Sequence, residues 1–234
     1  MATQHDAEKT EQLGPGRGRG NLVFDWTVAT AGGMAAALIL GLILAMVLFA
    51  AGFGTGGGGF GAAIIGGLLG IAAAGILIGW TQARILARVD TDTGWTHHVR
   101  GRWIWATAGG WVAALFGGYL VLQLIGSLLP RESPSSPGLL AATLVALATA
   151  GTLLGLAQWL VLRTHVEHAG AWVAACAAGT AGGGILLSPT LLLFTGYATA
   201  LLGSAIAAAG LGLVTGLALT TLLDMPALRP HLIT

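Results

Sequence analysis

Between Asp25 and Arg84 the chain runs for 58 residues without an Asp, Glu, Lys, Arg or His. As one helix that run would extend about 87 Å, against a hydrocarbon core of about 30 Å, so it predicts two spans and a reversal. The reversal falls in AGFGTGGGGFG at 51–61, where successive glycines lower helix propensity and permit positive φ. Helices are therefore expected at 24–50 and 62–88. A second uncharged run from Trp103 predicts a third helix at 103–130. The segment RESPSSPG at 131–138 then breaks it with Pro and Ser, and a fourth helix follows at 139–163. From Ala169 to Leu223 another 55 uncharged residues need one reversal, at Ser188-Pro189 or at 195–197. The second site leaves two spans of adequate length, 171–194 and 198–223, with Pro189 as a kink. The pattern predicts an all-α, polytopic membrane protein of six spans. A polar, flexible tail is expected at 1–22, a membrane domain at 23–224 and a short tail at 225–234.

Composition sharpens this reading. Residues of the set AVILMFWYC make up 55% of the 234, glycine adds 39, and only 8% are charged. Nineteen charged side chains cannot cover a soluble globule of this size. The balance of +1 argues against nucleic acid as a partner, and a single cysteine excludes a disulfide framework and a Cys-based metal cluster. Lys9, Arg17, Arg19, Arg84, Arg88, Arg100, Arg102, Arg163 and Arg229 fall on one side of the six-span topology, and Arg131 alone on the other. By the positive-inside rule both termini are expected in the cytoplasm, with the protein in a bacterial inner membrane. The first 22 residues lack the short apolar segment of a removable signal.

The odd-numbered spans open alike: WTVATAGG at 26–33, WIWATAGG at 103–110, WVAACAAG at 172–179. The even spans carry glycine pairs four apart, Gly75 with Gly79, Gly151 with Gly155, and Gly212 with Gly216. The chain thus reads as three two-helix hairpins about a pseudo-threefold axis; the alternative is likeness of composition alone. Gly109 with Gly117, and Gly179 with Gly183, extend the small-residue stripes through which helices in lipid approach closely. Such stripes serve internal packing or a partner subunit.

An ionisable residue in mid-membrane is the usual mark of transport or catalysis, and these spans hold none. Gln82, Gln123 and Gln158 are the intramembrane polar candidates, for interhelical hydrogen bonds or for the lining of a solute path. Trp26, Trp103, Trp105, Trp159 and Trp172, with Arg84, Arg88 and Arg163, are expected as interface anchors, and Trp111 as an indole set deeper. His97, His98, His165 and His168 offer a weak metal-ligand pattern, and no cofactor is predicted.

The segment GLAQWLVLRTHVEHAGAWVAACAAG at 155–179, with QARILARV and WIWATAGGW, resembles a group of uncharacterised multispanning proteins of cyanobacteria and Chloroflexus-type phototrophs. They carry Gln-Trp-Leu-x-Leu-Arg at a helix end, then a short loop and a Trp-led helix. The first copy here has Ala83 and Ala87 at the Trp and Arg places. The resemblance implies topology and carries no secure activity. The leading expectation is a non-catalytic accessory or scaffold component of a larger membrane complex. A passive carrier or channel for a small neutral or lipophilic molecule is the alternative, and an enzyme acting on lipid through the His and Asp cluster is a third. Expected partners are the bilayer, with anionic headgroups at the cytoplasmic side, and other membrane subunits or further copies of the chain.

Overall fold

The computed structural model describes residues 17–48, 59–89, 95–128, 137–193 and 197–223. These form six helices: α1 Arg17–Leu48, α2 Gly59–Val89, α3 Trp95–Leu128, α4 Pro137–Leu162, α5 Gly170–Leu193 and α6 Tyr197–Leu223. No strand occurs among the described residues. Five of the helices contain a stretch long and apolar enough to cross a bilayer, and α5 has 24 residues. The protein is an all-helical, polytopic membrane bundle. Large apolar side chains such as Phe24, Ile43, Leu120, Leu160 and Leu217 are exposed on it, as a lipid environment requires.

Two helices begin earlier than hydropathy alone indicates. α1 takes in residues 17–22, so that part of the expected flexible tail is helix, and Leu22 is buried. α3 likewise starts at Trp95, and its first turns hold His97, His98, Arg100 and Arg102. At 34 residues α3 is about 51 Å long, more than the hydrocarbon core, and its polar turns extend beyond the apolar span. α4 opens on Pro137, where a missing N–H costs no intrahelical bond. α5 continues through Ser188 and Pro189 to Leu193. The link from α4 to α5 is tight: Val166 N donates to Leu162 O, Ala171 N donates to His168 O, and His168 takes a left-handed φ of 56°.

Each helix packs against its two neighbours in the chain, α1 closes on α6, and among the described residues no helix backbone comes close to one across the bundle. The helices therefore form a closed ring. Close approaches run in opposite senses along each pair, Gly33 against Ile78 and Gly41 against Gly70, so neighbours are antiparallel. Arg84, Arg88, Arg100, Arg102 and Arg163 consequently gather at one end of the ring, called here the basic end.

Glycines set how near the neighbours come. A Cβ on Gly79 would lie 3.0 Å from Ile104 Cα, on Gly155 2.9 Å from Val173 Cα, and on Gly212 2.8 Å from Thr27 Cα. These sites lock α2 to α3, α4 to α5 and α6 to α1. Gly75 and Gly151 continue the first two seams against Ala108 and Ala177, and Gly216 continues the third against Val23. Gly179 and Gly183 join α5 to α6, against Leu211 and Ala207. On α3 the expected stripe is displaced: Gly109 is exposed with open space beside it, while Gly110 meets Leu154 and Gly118 meets Ala146. Gly117 meets only the Leu153 side chain. Because 109–110 and 117–118 are both Gly-Gly, spacing alone does not say which residue faces the neighbour.

Candidate functional site

A ring whose backbones approach only their neighbours encloses a lumen, and side chains decide where it is filled. Near the basic end Trp26 of α1, Trp103 of α3 and Trp172 of α5 converge, with exposures of 0%, 0% and 1%. Their ring centroids are 6.1, 5.8 and 6.0 Å apart, all edge-to-face, the preferred geometry for aromatic quadrupoles. This corrects the expectation that these three anchor at the headgroups. An indole is amphipathic enough for either place, and here the ring has turned three of them inward. Trp105 is 70% exposed, and Trp159 is half-buried beneath the Arg163 guanidinium at 5.2 Å.

A polar belt lies one turn deeper. Thr30 and Thr107 stand four residues beyond their tryptophans, and Cys176 holds that place on α5. Gln82, Gln158 and Thr215 stand three residues beyond Gly79, Gly155 and Gly212. Gln82 Nε2 donates to Thr30 Oγ1 and Gln158 Nε2 donates to Thr107 Oγ1, each at 3.1 Å. Trp172 Nε1 donates to Gln158 Oε1 at 2.9 Å, and Trp26 Nε1 donates to Thr215 Oγ1 at 3.1 Å. Bonds between buried groups thus tie neighbouring helices at four of the six seams. Trp103 Nε1 and Gln82 Oε1, the counterparts of Trp172 Nε1 and Gln158 Oε1 on the preceding hairpin, are both buried without a partner.

Beyond the belt, Ile78, Leu154 and Leu211 are buried, and Trp111 packs on Leu154 and Leu211. They leave a space of about 10 Å³ between themselves and the belt. On the far side of Trp111 the lumen widens into a cavity of about 670 Å³. All five helices from α1 to α5 line it, through small or aliphatic residues such as Ala37, Gly70, Ala114, Leu122 and Ala146. Thr143, Thr180 and Tyr119 supply its polar groups, and Thr180 Oγ1 donates to Cys176 O. From Trp111 to Leu122 the cavity follows α3 for about 16 Å. It is an apolar well with an aromatic floor, closed toward the basic end by the belt and the three tryptophans.

Other expected positions lie apart from this site. Gln123 is exposed on α3. The side chains of His97 and His98 fall outside the described residues. His165 Nδ1 bonds Thr164 Oγ1 and Val161 O, and His168 is exposed. Among the described residues no three His, Cys, Asp or Glu side chains gather as metal ligands. Arg84 stacks on Trp80 at 3.7 Å, and Arg88 pairs with Asp25 at 3.9 Å.

Sequence reading missed Thr30, Thr107, Cys176 and Thr215. The signal was present, since each stands at a fixed offset from a Trp or a Gly. It was obscured because the pair Gly212–Gly216 matches Gly75–Gly79 in spacing. The seams instead match Gly212 with Gly79 and Gly155, one turn away, and that register brings Thr215 into line with Gln82 and Gln158. Fold and site define a polytopic helical membrane protein with an apolar lumen closed at the basic end. No protein-family model, curated protein or solved structure matches the chain.

Proposed function

We propose that the protein is a non-catalytic, six-span membrane protein of three hairpin repeats that holds a lipophilic molecule in its lumen. The repeat reading is supported by the three tryptophans, the belt one turn deeper and the three glycine seams, which recur in every second helix. The supporting observation for function is the well itself. Its volume of about 670 Å³ is within the roughly 300–1,000 Å³ of small-molecule sites, and its lining is nearly all hydrocarbon. At about 30 Å³ per water-sized group, it takes a molecule of about twenty non-hydrogen atoms. The stacked aromatic and aliphatic layers at its floor favour retention over passage, so the channel reading gives way to a binding one. With the basic end toward the cytoplasm, the well lies in the half of the bundle nearer the opposite face of the membrane.

The test is photolabelling with an apolar diazirine-bearing alkyl chain and mapping of the labelled peptides. Label is expected at Leu122 and Thr143, and is lost in Met34→Trp, which places an indole in the well. Label confined to the outer Leu120 and Leu160 would contradict it.

An accessory role in a larger complex is favoured by one observation. Gly32 is exposed with nothing near it, on the same outer face as Val28, and forms a dent where a partner helix fits. Gly32→Leu is expected to release a co-purifying membrane subunit; unchanged association would refute that role. Gly212 and Gly216 pack on α1 within the ring and so offer no stripe to a partner.

A further inference from the structure

On the outside of the ring, at the basic end, a groove of about 420 Å³ runs between α3 and α4. Its polar rim is Arg102 on α3, with Arg163 and Thr164 at the end of α4. Both arginines are exposed, and among the described residues no carboxylate lines the groove. Its apolar part runs beside Trp105, Gly109 and Leu160, where Gly109 leaves the helix surface bare. Trp105 is 70% exposed, as an indole at the headgroup level is.

The corresponding place on the first hairpin differs in charge. The residue before Trp26 is Asp25, and Arg88 of α2 pairs with it at 3.9 Å. The residue before Trp103 is Arg102, and it shares its groove with Arg163, so two positive charges face one opening. The α1–α2 seam is neutralised from within, whereas among the described residues no carboxylate pairs with either arginine of the α3–α4 seam, which leaves its charge for an outside anion. A guanidinium pair binds phosphate oxygens through forked N–H donors, and basic pockets between helices at a membrane surface are suited to anionic headgroups.

We infer that the α3–α4 groove is a specific site for one anionic phospholipid. Its phosphate sits between Arg102 and Arg163, the Thr164 hydroxyl lies at the rim, and one acyl chain descends past Trp105 into the slot at Gly109. This site is separate from the lumen, faces the opposite end of the ring and does not depend on what the lumen holds.

The test is native mass spectrometry of the full chain, delipidated in a neutral detergent and titrated with phosphatidylglycerol or with phosphatidylcholine of the same chain length. Wild type is expected to take up one phosphatidylglycerol in preference to phosphatidylcholine. Loss of one arginine should weaken that binding about fivefold, and Arg102→Gln with Arg163→Gln about 25-fold. Removing the same number of charges elsewhere at that end, by Arg84→Gln with Arg88→Gln, should change it far less. Gly109→Leu leaves both arginines in place and meets open space, so the ring still forms, but it fills the slot and weakens binding of both lipids. Millimolar inorganic phosphate should not displace the lipid. Equal loss in the Arg84–Arg88 variant, no preference over phosphatidylcholine, or displacement by phosphate would each overturn the assignment.

Discussion

Trp172 and Trp103 occupy the same place in successive odd helices, yet their indole nitrogens differ. Trp172 Nε1 donates to Gln158 Oε1, whose other neighbour is the Cys176 thiol at 3.8 Å, a weak donor. Trp103 Nε1 has no acceptor. Trp172→Phe therefore leaves a buried amide oxygen poorly satisfied, which costs about 1–3 kcal/mol, whereas Trp103→Phe forfeits packing alone. In denaturant titrations in mild detergent, Trp172→Phe is expected to be the less stable variant by about 1–2 kcal/mol; equal losses would contradict the bond. His168 offers a gain. Its φ of 56° costs a residue with a Cβ about 1 kcal/mol, so His168→Gly is expected to raise the unfolding midpoint, and a fall would show that the imidazole itself holds the link.

At the scale of the helix, adjacent glycines have opposite uses. A Cβ on Gly155 would stand 2.9 Å from backbone of α5, so Gly155→Ala must push α4 and α5 apart, at a cost of about 1–3 kcal/mol. Gly109 has open space, and Gly109→Ala gains up to about 1 kcal/mol of helix propensity. Thermal melts of the two variants should move in opposite directions; a shared direction would contradict the seam described here. The helices themselves were legible from charge-free runs, because burying charge in hydrocarbon is costly enough to mark every span. Their polar extensions were not. Residues 17–22 and 95–102 carry the hydrophilic turns of helices that outlast the membrane, and hydropathy is silent there. Nor could spacing choose between Gly109 and Gly110, or fix the register of α6, where Gly212 and Gly216 fit two alignments equally well.

For the whole molecule, the decisive property is ring closure, and no single segment of sequence encodes it. Six apolar helices can fill their own centre or surround a void. Here Trp26, Trp103 and Trp172 fill one end, while Ala37, Ala114 and Ala146, as small residues, leave a cavity in the other half. Gln82 and Gln158 were recognisable as interhelical donors; that they form a belt sealing one end needed the geometry. The seal leads to a transport prediction: in proteoliposomes, flux of small neutral solutes should stay at the lipid background, and robust flux through wild type would require a path that bypasses the aromatic floor.

The most direct measurement is the mass of the intact particle purified from its native membrane in mild detergent, with organic extraction of what it carries. One largely hydrocarbon molecule is expected per 23.5 kDa chain, absent from Met34→Trp although that variant still binds phospholipid at the α3–α4 groove. A chain that carries no apolar ligand, or one that Met34→Trp retains in full, would contradict the lumen as the functional site.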